Sequence, residues 1–184
     1  MELHRWRDPE TRSAMDLDSY IRHIPGFPKP GIVFHDIMPM LQDAQALHYA
    51  VDRLAEFGQG KQVDLILGAE ARGFILGAAL AYAIGAGFVA ARKPGKLPWK
   101  VNRCEYDLEY GKDALEMHAD AIRPGQRVLI HDDLLATGGT ARAKIELVEG
   151  AGGIVVGLAF IIELADLKGR EKLQGYETFS LITY

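Results

Sequence analysis

Five apolar runs of strand length, separated by stretches with helical periodicity, set the tightest limit on how this chain can fold. They are Val63–Ala69, Gly87–Lys93, Arg127–His131, Gly153–Ile162 and Thr178–Thr183. A near-continuous apolar strand has no wet face, so both of its faces must be covered, and a parallel sheet set between helices does that. Ahead of the first run, Leu47, Ala50, Val51 and Leu54 recur at helical spacing with Gly58 and Gly60 as stops, which predicts a helix over 44–57. Phe74–Ile84 and residues 140–150 predict two more. The expected fold class is α/β: an open, twisted, mainly parallel sheet flanked by helices.

At 184 residues, with no break in composition, the chain is expected to form a single domain over 1–184. Its 48% hydrophobic and 25% charged residues are the balance of a chain that buries a core. Residues 1–15 read as a flexible extension and 16–23 as a short helix. Ile24–Gly31 carries three prolines and two glycines, which predict irregular structure. Residues 94–126, rich in Gly, Pro, Lys, Tyr and Glu, break the strand-helix rhythm, and a long connection of this kind reads as a functional lid.

A net charge of −4 speaks against a broad basic surface, so neither nucleic acid nor an acidic membrane is an expected partner. The N-terminal residues lack the apolar core of a signal peptide, and no run of about 18 apolar residues could span a bilayer. The one cysteine, Cys104, cannot close an internal disulfide, and no Cys/His cluster has zinc spacing. A cytoplasmic location is the expectation.

The segment Val128–Ala141 combines an apolar strand, the acid pair Asp132-Asp133, two hydroxyls and two glycines. In an open parallel sheet, ligands bind beyond the carboxyl ends of the strands, where a loop enters the next helix. Ala136, Thr137, Gly138, Gly139 and Thr140 occupy such a place. The glycines let the backbone approach a ligand, the threonines add hydroxyls, and the helix start offers unpaired N–H groups, a cradle for one phosphate. The lysine-bearing loop of nucleoside triphosphatases and the Gly-x-Gly-x-x-Gly of dinucleotide binders are both absent. Two acids facing a polyphosphate would repel it. They suit sugar hydroxyls, and positive charge developing on a sugar, better. The bland alternative is a tight turn capped by acids.

This segment resembles the phosphoribosyl pyrophosphate (PRPP) signature of type I phosphoribosyltransferases, and its Asp-Asp-Leu-Leu-Ala-Thr-Gly-Gly-Thr form is similar to that of the adenine phosphoribosyltransferases. Four further stretches match in order: Phe27–Ile37, Ala71–Phe74, Arg92–Pro98 and Leu108–Gly111, with Glu163–Arg170 closing the series. The resemblance implies transfer of a 5-phosphoribosyl group from PRPP to adenine, with AMP and pyrophosphate as products. It also implies a homodimer, a hood built from 24–37 and the C-terminal segment, and Mg²⁺ bound mainly through pyrophosphate and water, with no side-chain metal ligand assigned.

Residue roles follow from the same resemblance. Asp132 and Asp133 are expected at the ribose as catalytic groups. Glu70, Ala71, Arg72, Arg92, Lys93 and Lys96 are expected at the pyrophosphate, although a basic run by itself is usually a solvated face. Glu109 is expected to act catalytically near the base, and the peptide before Ala71 to be a non-proline cis bond. Phe34 and Leu164 would sandwich adenine while the backbones of Val33 and Arg72 contact it; from periodicity alone Val33, Phe34 and Leu164 read as core. Two alternatives share the signature: a phosphoribosyltransferase for another purine or a pyrimidine, and a PRPP-binding regulator of nucleic acid.

Overall fold

The computed structural model describes residues 15–107 and 112–184, and the chain divides into two compact units, Met1–Asp52 and Arg53–Tyr184. In the first unit only Leu17–Tyr20 of the expected helix forms, as a 3-10 turn, and Arg22–Pro25 is a strand, β1. It pairs antiparallel with β2, Val33–Asp36, in the register His23 to His35 and Ile24 to Phe34. The proline- and glycine-rich stretch is therefore the turn of a hairpin whose first strand runs through Pro25, an edge position where a missing N–H costs no ladder bond. Helix α1, Met38–Gln42, precedes α2, Ala44–Gly58. The Asp43 carboxylate accepts the Gln45 and Ala46 amides, both at 2.9 Å, and so caps α2.

The second unit holds a parallel sheet of β3 (Leu65–Ala69), β4 (Gly87–Ala91), β7 (Arg127–Leu135), β8 (Ile154–Glu163) and β9 (Thr178–Thr183), in the spatial order β4-β3-β7-β8-β9. Helices α3, Arg72–Ile84, and α4, Gly139–Gly150, follow β3 and β7. From β3 the chain moves outward to β4, and from β7 it moves the other way to β8 and β9. The direction reverses between β3 and β7, and the carboxyl ends of those two strands flank the crevice that such a reversal creates.

One expectation needs correction. The third strand does not stop at His131; it continues through Asp132 and Asp133 to Leu135. Within the connection 94–126, for which the sequence assigns no strand pair, Val101–Asp107 (β5) and Lys112–His118 (β6) pair antiparallel. Their partner positions alternate toward the core, with Leu115 and Met117 buried there. A short alternating run flanked by Gly and Pro carries too little periodicity to announce such a hairpin.

Alternation along β7 sends successive side chains to opposite faces. Val128 and Ile130 join Ala141, Ile145 and Val148 of α4 in one buried cluster. His131, on the other face, is fully buried, and its Cδ2 lies 3.5 Å from where a Cβ on Gly77 of α3 would stand. Its Nδ1 is 3.0 Å from the Ala159 carbonyl oxygen and must carry the proton, since that oxygen only accepts. Burial, with the nearby Lys144 charge second, pushes the imidazole pKa down to about 4.

A histidine neutral in the fold but basic when unfolded makes stability fall with acid. The unfolded chain takes up a proton near pH 6.5 and the native one only near 4, so stability present above about 6.5 is lost as the pH falls toward 4, on the order of 3 kcal/mol in all. Denaturation midpoints followed across that range should show this loss, and His131→Val should flatten the slope. An unchanged slope in the variant would assign the acid sensitivity to other groups.

Candidate active site

Both loops at the β3/β7 crevice are built by local necessity. After β3, the Glu70-Ala71 peptide is cis, as the resemblance implied, and α3 starts at once with Arg72. Gly68 has no room for a side chain: a Cβ there would lie 2.8 Å from the Gly73 carbonyl oxygen and 2.9 Å from the Phe88 ring. Gly73 is as constrained, since its Cβ would stand 2.6 Å from Asp132 Oδ1. The first turn of α3 can therefore sit against the acid pair only because both positions are glycine.

After β7, Ala136 and Thr137 lead to Gly138, whose φ of +78° caps α4 in the left-handed region. The helix then begins at Gly139. Its first-turn N–H groups have no partner earlier in the helix, and Gly139, Thr140 and Ala141 line the crevice, the arrangement that binds anions. Behind this loop lies Gly169. A Cβ on Gly138 would come within 2.5 Å of the Gly169 carbonyl oxygen, and one on Gly169 within 2.3 Å of the Ala136 carbonyl oxygen. The 3-10 turn Gly169–Leu173 is tied down by Arg170, which donates to both oxygens of buried Glu163 at 2.6 and 2.7 Å. Burial works against the Glu163 charge, but Arg170 and Ser180 outweigh it and hold its pKa below the usual carboxylate range.

The cleft between these loops has a volume of about 260 Å³ and is lined by Glu70, Arg72, Lys93 and Tyr106 on one side and by Asp132 through Ala141 on the other. The two acids are held differently. Asp132 Oδ2 accepts from Lys144 Nζ at 2.6 Å, while Asp132 Oδ1 accepts the Asp133 amide at 3.0 Å. Asp133 pairs with the Arg72 guanidinium. Burial, and next the charge of Asp132, push the Asp133 carboxyl upward, with Arg72 opposing both.

The basic strand end is engaged in the same way. Glu70 accepts from Arg92 Nη2 at 2.8 Å and from the Lys93 amide at 2.5 Å, and these bonds hold its pKa low although burial works against its charge. Arg92 also donates to the Lys96 carbonyl at 3.2 Å, shaping the turn that carries Lys96. The Lys93 ammonium pairs with Asp113 of β6, which raises its pKa, and the Tyr106 hydroxyl donates to the same carboxylate at 3.1 Å. Of the residues expected at the pyrophosphate and the ribose, Glu70, Arg72, Lys93, Asp132, Asp133 and Ala136 to Thr140 line this cleft, whereas Ala71, Arg92 and Lys96 do not.

The remaining expected residues are those at the base. Leu164 sits just past β8, half-buried, with its amide donating to the Leu135 carbonyl at 2.9 Å. Val33 and Phe34 are on β2 of the first unit, where the Phe34 ring meets Phe27 edge-on at 5.2 Å. Glu109 falls outside the described residues. Sequence reading does not single out Lys144, Asp113 or Gly169. Lys144 carries a signal all the same: it stands on the apolar stripe that contains Ala141, Ile145 and Val148, where a lysine needs a buried partner.

A phosphoribosyl transferase domain model matches residues 35–182, most of the chain. An adenine phosphoribosyltransferase of Clostridium perfringens is 59% identical over 170 residues, which are 92% of this chain and 99% of that protein. The chain belongs to the adenine phosphoribosyltransferase family. Solved members of this phosphoribosyltransferase family have the same fold. The enzyme from Thermoanaerobacter pseudethanolicus superposes with a TM-score of 0.89 at 55% identity, covering 91% of this chain and 98% of its own. The Saccharomyces cerevisiae enzyme, solved with an imino-altritol bisphosphate and adenine, gives 0.85 at 39% identity over 90% and 96%. In this phosphoribosyltransferase the acid pair and the Gly138-Gly139 turn are therefore parts of a family domain and not an isolated turn.

Proposed function

We propose that this chain is a transferase that moves the 5-phosphoribosyl group of PRPP to adenine, giving AMP and pyrophosphate in purine salvage. The observation that carries the reading is the single cleft in which the acid pair, the Ala136–Thr140 turn and the Glu70–Arg72 turn stand together.

Breaking the C1–O bond leaves positive charge on the sugar and negative charge on the departing pyrophosphate, so stabilisation is needed at two places. The N–H groups and hydroxyls of Ala136–Thr140 hold the 5-phosphate. Asp132 and Asp133 accept from ribose hydroxyls and stabilise the oxocarbenium-like ring. Glu70, Ala71 and Arg72, with Arg92, Lys93 and Lys96, take the pyrophosphate. Arg72 and Lys93 already face carboxylates, so an incoming pyrophosphate exchanges one anion for another and buries no bare cation. Phe34, Leu164 and the backbones of Val33 and Arg72 are assigned to adenine on the family resemblance, and proton transfer at N7 is assigned to Glu109 on the same ground.

Among the described residues no group of three or more His, Cys, Asp or Glu is placed to hold a metal, and both acids of the pair are engaged by cations. The residues fit a Mg²⁺ held through pyrophosphate oxygens and water; bound so, it would neutralise the leaving group. A homodimer belongs to the same reading, supported by Ile75 and Tyr82 of α3 and by Trp99, all exposed apolar surface. So does a cytoplasmic location, supported by the free thiol of Cys104.

The test is turnover of adenine, hypoxanthine, guanine, xanthine, uracil and orotate with PRPP and Mg²⁺. Adenine should be the base that releases pyrophosphate and yields AMP. Turnover confined to any other base would overturn the reading, and binding of PRPP together with RNA or DNA without pyrophosphate release would replace it with a regulatory one.

A further inference from the structure

Lys144 is a lysine that no solvent reaches: its side chain is 0% exposed, on the core face of α4 among Ala141, Ile145 and Val148. Its ammonium has two oxygens near it, Asp132 Oδ2 at 2.6 Å and the His131 carbonyl at 3.5 Å. A buried ammonium without a counter-charge would be strongly unfavourable, as would a buried carboxylate without one. The pair therefore stands or falls together, on the residue proposed to meet the ribose.

We infer that Lys144 is a positioning residue for the transfer reaction: through the ion pair with Oδ2 it holds Asp132 in one rotamer, from behind the cleft and without touching substrate. The inference rests on the assignment of Asp132 and Asp133 to the ribose. The geometry limits what else could do this. Asp132 Oδ1 takes the neutral Asp133 amide. The Arg72 guanidinium serves Asp133, the Lys93 ammonium serves Asp113, and Arg92 serves Glu70. His131, the adjacent residue, is held neutral by its burial. Among the described residues, Lys144 is thus the cation that pairs with Asp132.

The arrangement also divides labour within the pair. Asp132 and Asp133 are neighbours whose charges oppose each other, and each has its own cation on its own side of the strand: Lys144 from α4 and Arg72 from α3. A nearby cation favours a carboxylate, and a neighbouring carboxylate disfavours it. Lys144 is permanent because nothing can displace it, whereas Arg72, with a side chain 40% exposed, can turn to an incoming anion. When Arg72 turns to pyrophosphate, Asp133 is released toward the sugar while Asp132 stays fixed.

Lys144→Met keeps the volume and removes the charge. For this variant, kcat/KM for PRPP at neutral pH should fall about tenfold or more, and the acid limb of its pH profile should move to higher pH, since an acid pair with one cation gives up its second proton less readily. Lys144→Arg should recover part of the loss. A purely structural role would lower stability and leave the limb where it was. Profiles of wild type and Lys144→Met that superpose would overturn the inference, while failure of the wild-type protein to turn over adenine would instead remove the functional reading beneath it. If Lys144→Met does not fold, the double variant Asp132→Asn with Lys144→Met decides, because it buries no net charge. It should fold with a higher Tm than either single variant, and a double variant as unstable as Lys144→Met would show that the lysine acts by packing alone.

Discussion

Replacing Asp133 by asparagine is expected to lower kcat/KM with adenine and PRPP by about 10²- to 10³-fold, the scale seen when one electrostatic group aimed at developing charge is removed. The fold should survive. Asparagine has the same shape, and losing the charge removes the repulsion from Asp132 that pushes the Asp133 carboxyl upward. Arg72 loses that ion pair, but its side chain is 40% exposed and keeps water, so the cost in stability is small.

The pH dependence has a definite sign. Burial and the Asp132 charge raise the Asp133 pKa, so activity that needs the carboxylate is complete well above that pKa and is lost as the pH falls through it. The acid limb of kcat/KM should therefore sit above the range of an ordinary aspartate, and Asp133→Asn should abolish that limb along with most of the rate. A variant that keeps both rate and limb would remove Asp133 from the reaction. Unchanged thermal denaturation is the control that separates chemistry from folding.

The second large effect is expected at Gly138. A φ of +78° disfavours any side chain, and the Cβ of an alanine would stand 2.5 Å from the Gly169 carbonyl oxygen. Neither side yields easily. Gly169 is itself pressed against the Ala136 carbonyl, and the turn it begins is clamped by Arg170 to Glu163. Gly138→Ala should destabilise the protein on the order of 3 kcal/mol, through the left-handed conformation and the displaced backbone together.

The loss of function should exceed the loss of stability. A phosphate cradle works by N–H groups held at fixed positions, and a shift of about 1 Å is enough to lower activity roughly 100-fold. Well below its melting temperature the variant should show that loss in kcat/KM for PRPP, with adenine saturation less affected. An alanine variant that binds PRPP as wild type does would mean the 5-phosphate rests elsewhere.

Much of the fold and half of the site are legible in the order of the residues. Apolar runs too continuous for a half-wet strand require a parallel sheet, and the glycine-hydroxyl turn ahead of α4 has the form that suits an anion. Those features are local: a run, a turn and a helix start each depend on residues within a few positions. The hairpin of β1 and β2 escapes such a reading because proline content argues against strand, yet an edge strand tolerates a missing N–H. The β5–β6 hairpin escapes it because its pairing joins residues such as Val101 and His118, whose match is invisible until both strands lie side by side.

The chain alone determined that it would build a parallel α/β sheet and that Asp132, Asp133 and the turn after them would share a strand end. Only the tertiary structure decided which cation each acid meets, Lys144 from one helix and Arg72 from another, and that Gly169 would back the loop at Gly138. Charge pairing and close backbone contact depend on distance through space, and residues 12, 61 or 31 positions apart carry no local mark of being neighbours.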